Sequence, residues 1–122
     1  MNKELTKKEY QEYKQRMQSL EDYLEELQEN HQQLLEAINA VKEISKLDKE
    51  NTILTPLVNG IFLKAKLTET SKLTVNTGEG TMVEKTPTQV VDLLEERLED
   101  TEEKMQTVHD KLLSLYDEIQ SL

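Results

Sequence analysis

The apolar positions of this chain follow two different periods, and the changes of period divide it into three segments. From Tyr10 they recur in alternating steps of three and four: Tyr10, Tyr13, Met17, Leu20, Leu24, Leu27, His31, Leu34, Ile38 and Val41. With Glu, Gln and Lys filling the other positions, this is the repeat of a coiled-coil helix. Thr6 and Glu9 form a capping box, with Leu5 and Tyr10 placed as a hydrophobic staple, so the helix is expected to start near Lys7. After Val41 the next apolar residues, Ile44 and Leu47, come in three-residue steps where a four was due. Such a break overwinds the helix locally before its end, and the predicted span is 7–50.

A second helix is predicted over 87–122. Thr86 is its N-cap, Pro87 suits the first helical position, and Gln89 completes a capping box. Its seam reads Val91, Leu94, Leu98, Thr101, Met105, Val108, Leu112, Leu115, Ile119 and Leu122. Folding the two seams together antiparallel pairs Val41 with Val91 and Tyr10 with Leu122. The same register sets His31 opposite Thr101, so the two polar seam positions meet, and a buried polar pair penalises slipped registers. At 1.5 Å per residue the pair would be roughly 50 Å long.

Between them, 53–85 alternates with period two. Asn59-Gly60 is a two-residue turn sequence that favours positive φ. Ile61, Leu63, Ala65 and Leu67 alternate with Phe62, Lys64 and Lys66 after it, which predicts a hairpin. Beyond the polar stretch Thr68 to Ser71, Leu73 and Val75 run to a turn at Gly78-Glu79-Gly80, and Met82-Val83-Glu84-Lys85 returns as a second hairpin. Isolated hairpins are marginal in water and their edges invite pairing. Partner strands are therefore expected, with Leu57, Val58, Ile61, Phe62, Leu63, Ala65, Leu67, Leu73, Val75, Met82 and Val83 as the assembly residues. Pro56, lacking the ladder donor, should lie at an unpaired position or at a bulge. The fold class is α+β: one subunit, 1–122, of two helices joined by two hairpins.

Composition narrows the partners. Of 122 residues 35% are hydrophobic and 33% charged, with one Phe and no Trp, which is too little to bury a substantial core within one chain. A net charge of −10 without a Lys/Arg cluster argues against nucleic acid and anionic membrane surfaces. The absence of Cys excludes disulfides and thiolate metal sites, and no apolar run suggests a membrane span or signal region, so a cytoplasmic protein is expected. Catalytic signals are missing too. His31 and His109 lie on or beside the seams, and Gly78-Glu79-Gly80 lacks the continuation of a nucleotide loop, so neither an enzyme nor a cofactor is expected.

Where the first helix begins and the second ends, apolar residues gather: Leu5, Tyr10, Tyr13 and Met17 with Leu112, Leu115, Ile119 and Leu122, and Leu113 and Tyr116 off the seam. As a functional surface they suit exposed segments of another protein, since Met and Tyr adapt to varied partners. As structure, the seam members are coiled-coil core. The off-seam pair has no evident structural purpose. Six carboxylates between Glu95 and Glu103 read first as a solvated face, and second as mutual repulsion between neighbouring arms.

The order of parts resembles the α-type prefoldin subunit family. Thr55-Pro56-Leu57-Val58-Asn59-Gly60-Ile61-Phe62-Leu63-Lys64-Ala65 looks like that family's L-x-P-L, turn and v-x-v-x-a sequence. Val75-Asn76-Thr77-Gly78-Glu79-Gly80 resembles its second turn, and Val83-Glu84-Lys85-Thr86 its exit into the second helix. The resemblance covers essentially the whole chain. It implies a hexamer of two α-type and four β-type subunits, whose hairpins build a double β-barrel with six coiled-coil arms. It further implies an ATP-independent chaperone that holds unfolded clients at the arm tips and passes them to a group II chaperonin. Two alternatives stay open: a prefoldin-like scaffold that handles no clients, and a coiled-coil tether that its hairpins dimerise.

Overall fold

A computed structural model describes residues 6–47 and 50–121. The elements in order are α1 (Lys7–Ile44), β1 (Thr52–Pro56), β2 (Phe62–Lys66), β3 (Leu73–Gly78), β4 (Thr81–Lys85) and α2 (Pro87–Gln120). They fall into two compact units, one of Met1–Leu35 with Arg97–Leu122 and the other of Glu36–Glu96.

In the first unit α1 and α2 run antiparallel. Leu27, Leu34, Val108 and Leu115 are buried, while Tyr13, Met17, Leu20, Leu24, Leu98, Met105, Leu112 and Ile119 are half-buried. These are the seam positions, so the three-four repeat does select the packed stripe. Tyr10 departs from the expectation and is 50% exposed. The polar layer also differs in detail. Thr101 is buried, with its hydroxyl donating to the Arg97 carbonyl at 2.9 Å and accepting from the Asn30 amide at 3.4 Å. His31 sits at the same level but turns to Glu102, with 3.2 Å between Nε2 and Oε1. The two seam polar residues thus share a layer without bonding to each other, because each finds a partner nearer the groove edge.

The second unit contains the other helix ends and both hairpins. α1 stops at Ile44, short of the expected 50. Ser45 donates its hydroxyl to the Lys42 carbonyl at 2.7 Å. The N–H groups of Lys46 and Leu47 bond three residues back, to Glu43 and Ile44. These i to i−3 bonds tighten the chain into a 3₁₀-like turn, the overwinding that the Ile44 to Leu47 spacing anticipates, but it terminates the helix there. α2 begins as expected. Thr86 and Gln89 exchange both capping-box bonds, Gln89 N–H to Thr86 Oγ1 at 3.2 Å and Thr86 N–H to Gln89 Oε1 at 3.0 Å. Val90 is buried more deeply than the predicted seam residue Val91. With Val91, Leu93 and Leu94 also withdrawn from solvent, the apolar face of α2 is broader here than a coiled-coil seam.

Each hairpin is a separate two-stranded antiparallel sheet. In the first, Thr52 to Pro56 pair with Lys66 to Phe62. Both ends of this ladder are bulged. Ile61 N–H bonds the Val58 carbonyl while Leu57 N–H bonds the Ile61 carbonyl, so two residues oppose one. Pro56 is the last residue of β1, opposite Phe62 and next to this bulge. Its neighbour Leu57 makes the ladder bond, leaving Pro56 at a position whose missing N–H costs nothing. At the other end Glu50 and Asn51 oppose Leu67 in the same bonding pattern. There Glu50 takes φ 75°, a conformation that glycine normally supplies. The turns Asn59-Gly60 and Glu79-Gly80 carry positive φ at both central residues, the primed geometry that matches strand twist. The second hairpin pairs Leu73 to Asn76 with Lys85 to Met82 and slips by one residue at Thr77.

Two stability outcomes follow. Thr86→Ala removes one capping bond and should cost about 1 kcal/mol in urea denaturation. Glu50→Gly should raise stability by about 0.5 kcal/mol, because relief of the left-handed backbone outweighs an exposed 3.9 Å pair with Lys66 that contributes little.

Candidate functional site

The helices expose scattered large apolar side chains, Tyr10, Tyr23, Leu35 and the pair Leu113 and Tyr116, whereas the first hairpin exposes a cluster. Leu54, Leu57, Val58, Ile61, Phe62 and Leu63 are each 54–63% exposed, and Met82 on the second hairpin is 60% exposed. The alternation explains part of this. Ile53, Thr55, Ala65 and Leu67 are half-buried along one face of the first hairpin, as are Leu73, Val75, Val83 and Lys85 on the second. Near the Asn59-Gly60 turn, however, both faces are open, and Leu63 is exposed although Ala65 on its face is not. Of the expected assembly residues, Leu57, Val58, Ile61, Phe62, Leu63 and Met82 form this open surface and the others lie in the half-buried faces. Leu54 belongs to the surface and was missed, although its alternation with Ile53 in Thr52-Ile53-Leu54 signals an outward position.

Charge is distributed to match. Residues 50–86 hold Lys64, Lys66, Lys72 and Lys85 against Glu50, Glu69, Glu79 and Glu84, so the hairpin region is neutral and the whole excess of −10 lies on the helical segments. Lys72 approaches Glu84 to 3.8 Å on the second hairpin. A neutral apolar surface can meet another copy or a partner without the repulsion that the helices would impose.

In the first unit, two grooves flank the helix seam and differ in chemistry. One is an open trough of about 1200 Å³ lined by Glu9, Glu12, Tyr13, Arg16, Ser19 and Leu20 of α1 and Thr107, Asp110, Lys111, Ser114, Leu115 and Glu118 of α2, among others. The other, of about 310 Å³, is lined by Leu24, Gln28, Glu102, Met105, Gln106 and His109. Leu113 and Tyr116 follow His109 at helical spacing and extend the stripe of this second groove, both about half exposed. Of the expected tip residues, Tyr10, Leu113 and Tyr116 are therefore open. Tyr13, Met17, Leu112 and Ile119 are half-buried and Leu115 is buried in the seam. Leu5 and Leu122 lie outside the described residues.

The sequence reading missed the approach of Glu118 to Tyr13. Hydrogen bonding to that carboxylate, and then its charge, raise the Tyr13 phenol above its ordinary value of 10.0. Their seam-adjacent positions could have signalled it. The six carboxylates between Glu95 and Glu103 are all exposed, with Lys104 3.7 Å from Asp100 and His31 on Glu102. Among the described residues no group of His, Cys, Asp and Glu is arranged to hold a metal ion, and no helix is long and apolar enough to cross a membrane.

These features define a class: two open-edged β-hairpins joined to an antiparallel helix pair. The prefoldin subunit family model matches residues 13–122, and the chain belongs to the prefoldin family. Its fold is similar to that of a chain in the filamentous prefoldin (PFD) of Methanocaldococcus jannaschii, solved by cryo-electron microscopy. The TM-score is 0.84 at 16% identity, over 95% of this chain and 96% of that one. No curated protein matches the sequence. Family membership implies a chaperone-like or scaffolding role and no enzymatic activity.

The Tyr13 bond has a sign that can be checked. A raised folded-state value means the interaction contributes stability below the ordinary phenol range and loses it as pH rises through the folded value. Ultraviolet titration of the tyrosines should show a late component that moves to lower pH in Glu118→Gln.

Proposed function

We propose that this chain is an α-type prefoldin subunit of an ATP-independent holdase. In this reading two copies join four β-type subunits through their hairpins, in the cytoplasm. The complex holds unfolded clients on the ends of the helix pairs and passes them to a group II chaperonin. The observation that carries the reading is the distribution of exposed apolar groups: a cluster on the neutral hairpins, and Tyr10, Leu113 and Tyr116 where α1 begins and α2 ends, with Tyr23 and Leu35 exposed farther along α1. The first suits permanent burial. At about 1 kcal/mol for the exposed part of each side chain, the surface offers on the order of 5–10 kcal/mol. That is comparable with the cost of association. The second suits weak, reversible contact, and several weak contacts on one chain give avidity with easy release.

A second reading draws on the filamentous prefoldin that the fold resembles. Here the same hairpin surface pairs copies of this chain with one another, and a scaffold results. The neutral hairpins permit that, since copies would not repel there.

Suppression of aggregation of a chemically unfolded protein, without nucleotide, separates these. The full assembly is compared with one trimmed to residues 20–112 and with Leu113→Ser/Tyr116→Ser. Protection by the full chain, lost on trimming and reduced several-fold in the double variant with assembly size unchanged, supports client holding. Equal protection by all three, or none by any, moves the function to the barrel and to scaffolding. Sedimentation of the chain alone decides whether β-type partners are required.

A further inference from the structure

The wider groove is not used by the reading above, which sets client contact on the Leu113 and Tyr116 side. Its floor is apolar, formed by Tyr13, Leu20 and Leu115, and its walls carry Glu9, Glu12, Asp110 and Glu118 against only Arg16 and Lys111. The two-to-one excess is not local. Residues 7–35 and 97–121 together hold fourteen carboxylates and seven Lys or Arg. The opposite groove, by contrast, has Glu102 as its single lining carboxylate among Leu24, Met105 and two glutamines.

We infer that this groove takes lysine- or arginine-bearing apolar segments of unfolded chains, and that the protein selects clients for basic character. The inference rests on the client-holding reading and gives it a substrate class. A Lys or Arg side chain has the matching division of chemistry: an aliphatic stem that lies on an apolar floor and a cationic head that reaches a carboxylate. Tyr13 adds a ring face to which such a head is attracted. The surrounding negative field steers basic segments in and rejects acidic ones, an effect that salt screens. Unfolded segments supply both parts together, whereas folded proteins present their lysines already solvated and apart from apolar runs.

The test uses the full chain and two fluorescent peptides of equal length and apolar content, one with Lys and one with Glu at the same positions. At low salt the Lys peptide should bind about tenfold more tightly, the advantage falling to about threefold or less at 0.5 M salt. Glu9→Gln/Glu12→Gln/Asp110→Asn, which leaves Glu118 beside Tyr13, should remove most of the preference, weakening the Lys peptide and easing the repulsion of the Glu peptide. Equal binding of both peptides, or an undiminished preference in the triple variant, overturns the inference while leaving client holding intact. Failure of both peptides to bind a chain that still assembles overturns both this inference and client holding. A fall in assembly size in the triple variant shows the groove filled by a second copy, and overturns the inference as well.

Discussion

An unsatisfied strand edge is the constraint on which this molecule depends. Two hairpins that pair only within themselves leave every strand with one open side, and their apolar residues near the first turn are left exposed among the described residues. Bulges limit the exposure at the ends of the first ladder by turning its backbone groups onto one another. They do not remove it. A chain with one Phe and no Trp has little material with which to build a covering layer, and on the proposed reading assembly supplies it.

The helices meet the opposite requirement. They must remain separate and solvated while keeping a narrow apolar seam closed, and the division of charge accomplishes this. The hairpin region is neutral, and the helical segments carry the full excess of carboxylates. Within the helix pair, the layer of Asn30, His31, Thr101 and Glu102 replaces apolar packing by hydrogen bonds of defined geometry. Such a layer gives little stability, but a shifted alignment loses both the Asn30 bond to Thr101 and the His31 bond to Glu102. Register is thereby held in a seam whose other positions are interchangeable Leu, Val and Met.

The proposed function and the groove inference both use what this division leaves over. Apolar groups outside the seam, and carboxylates in excess of the cations beside them, have no role in closing the helix pair. On the proposed reading they act on a third party, with apolar contact supplying capture and charge supplying choice. Because each contact is exposed and solvated, each is weak, which suits a protein that must let go.

Sequence by itself determined the parts and their order, because period, capping and turn chemistry are local. The three-four repeat marked the buried stripe, Thr86-Pro87 with Gln89 marked the start of α2, and Asn59-Gly60 and Glu79-Gly80 marked turns that need positive φ. The family was legible for the same reason, since the order of elements is written along the chain. What the tertiary structure decided depends on neighbours distant in sequence. The end of α1 at Ile44 is an exception, a local tighter turn that seam spacing left open. His31 bonds Glu102 and not Thr101, and Tyr13 finds Glu118, because side-chain partners are set by which flank of each helix faces which. Likewise the difference between the two grooves appears only when the helices are laid together. Each helix alone shows a mixed polar face, and only their antiparallel pairing gathers Glu9, Glu12, Asp110 and Glu118 around one apolar floor.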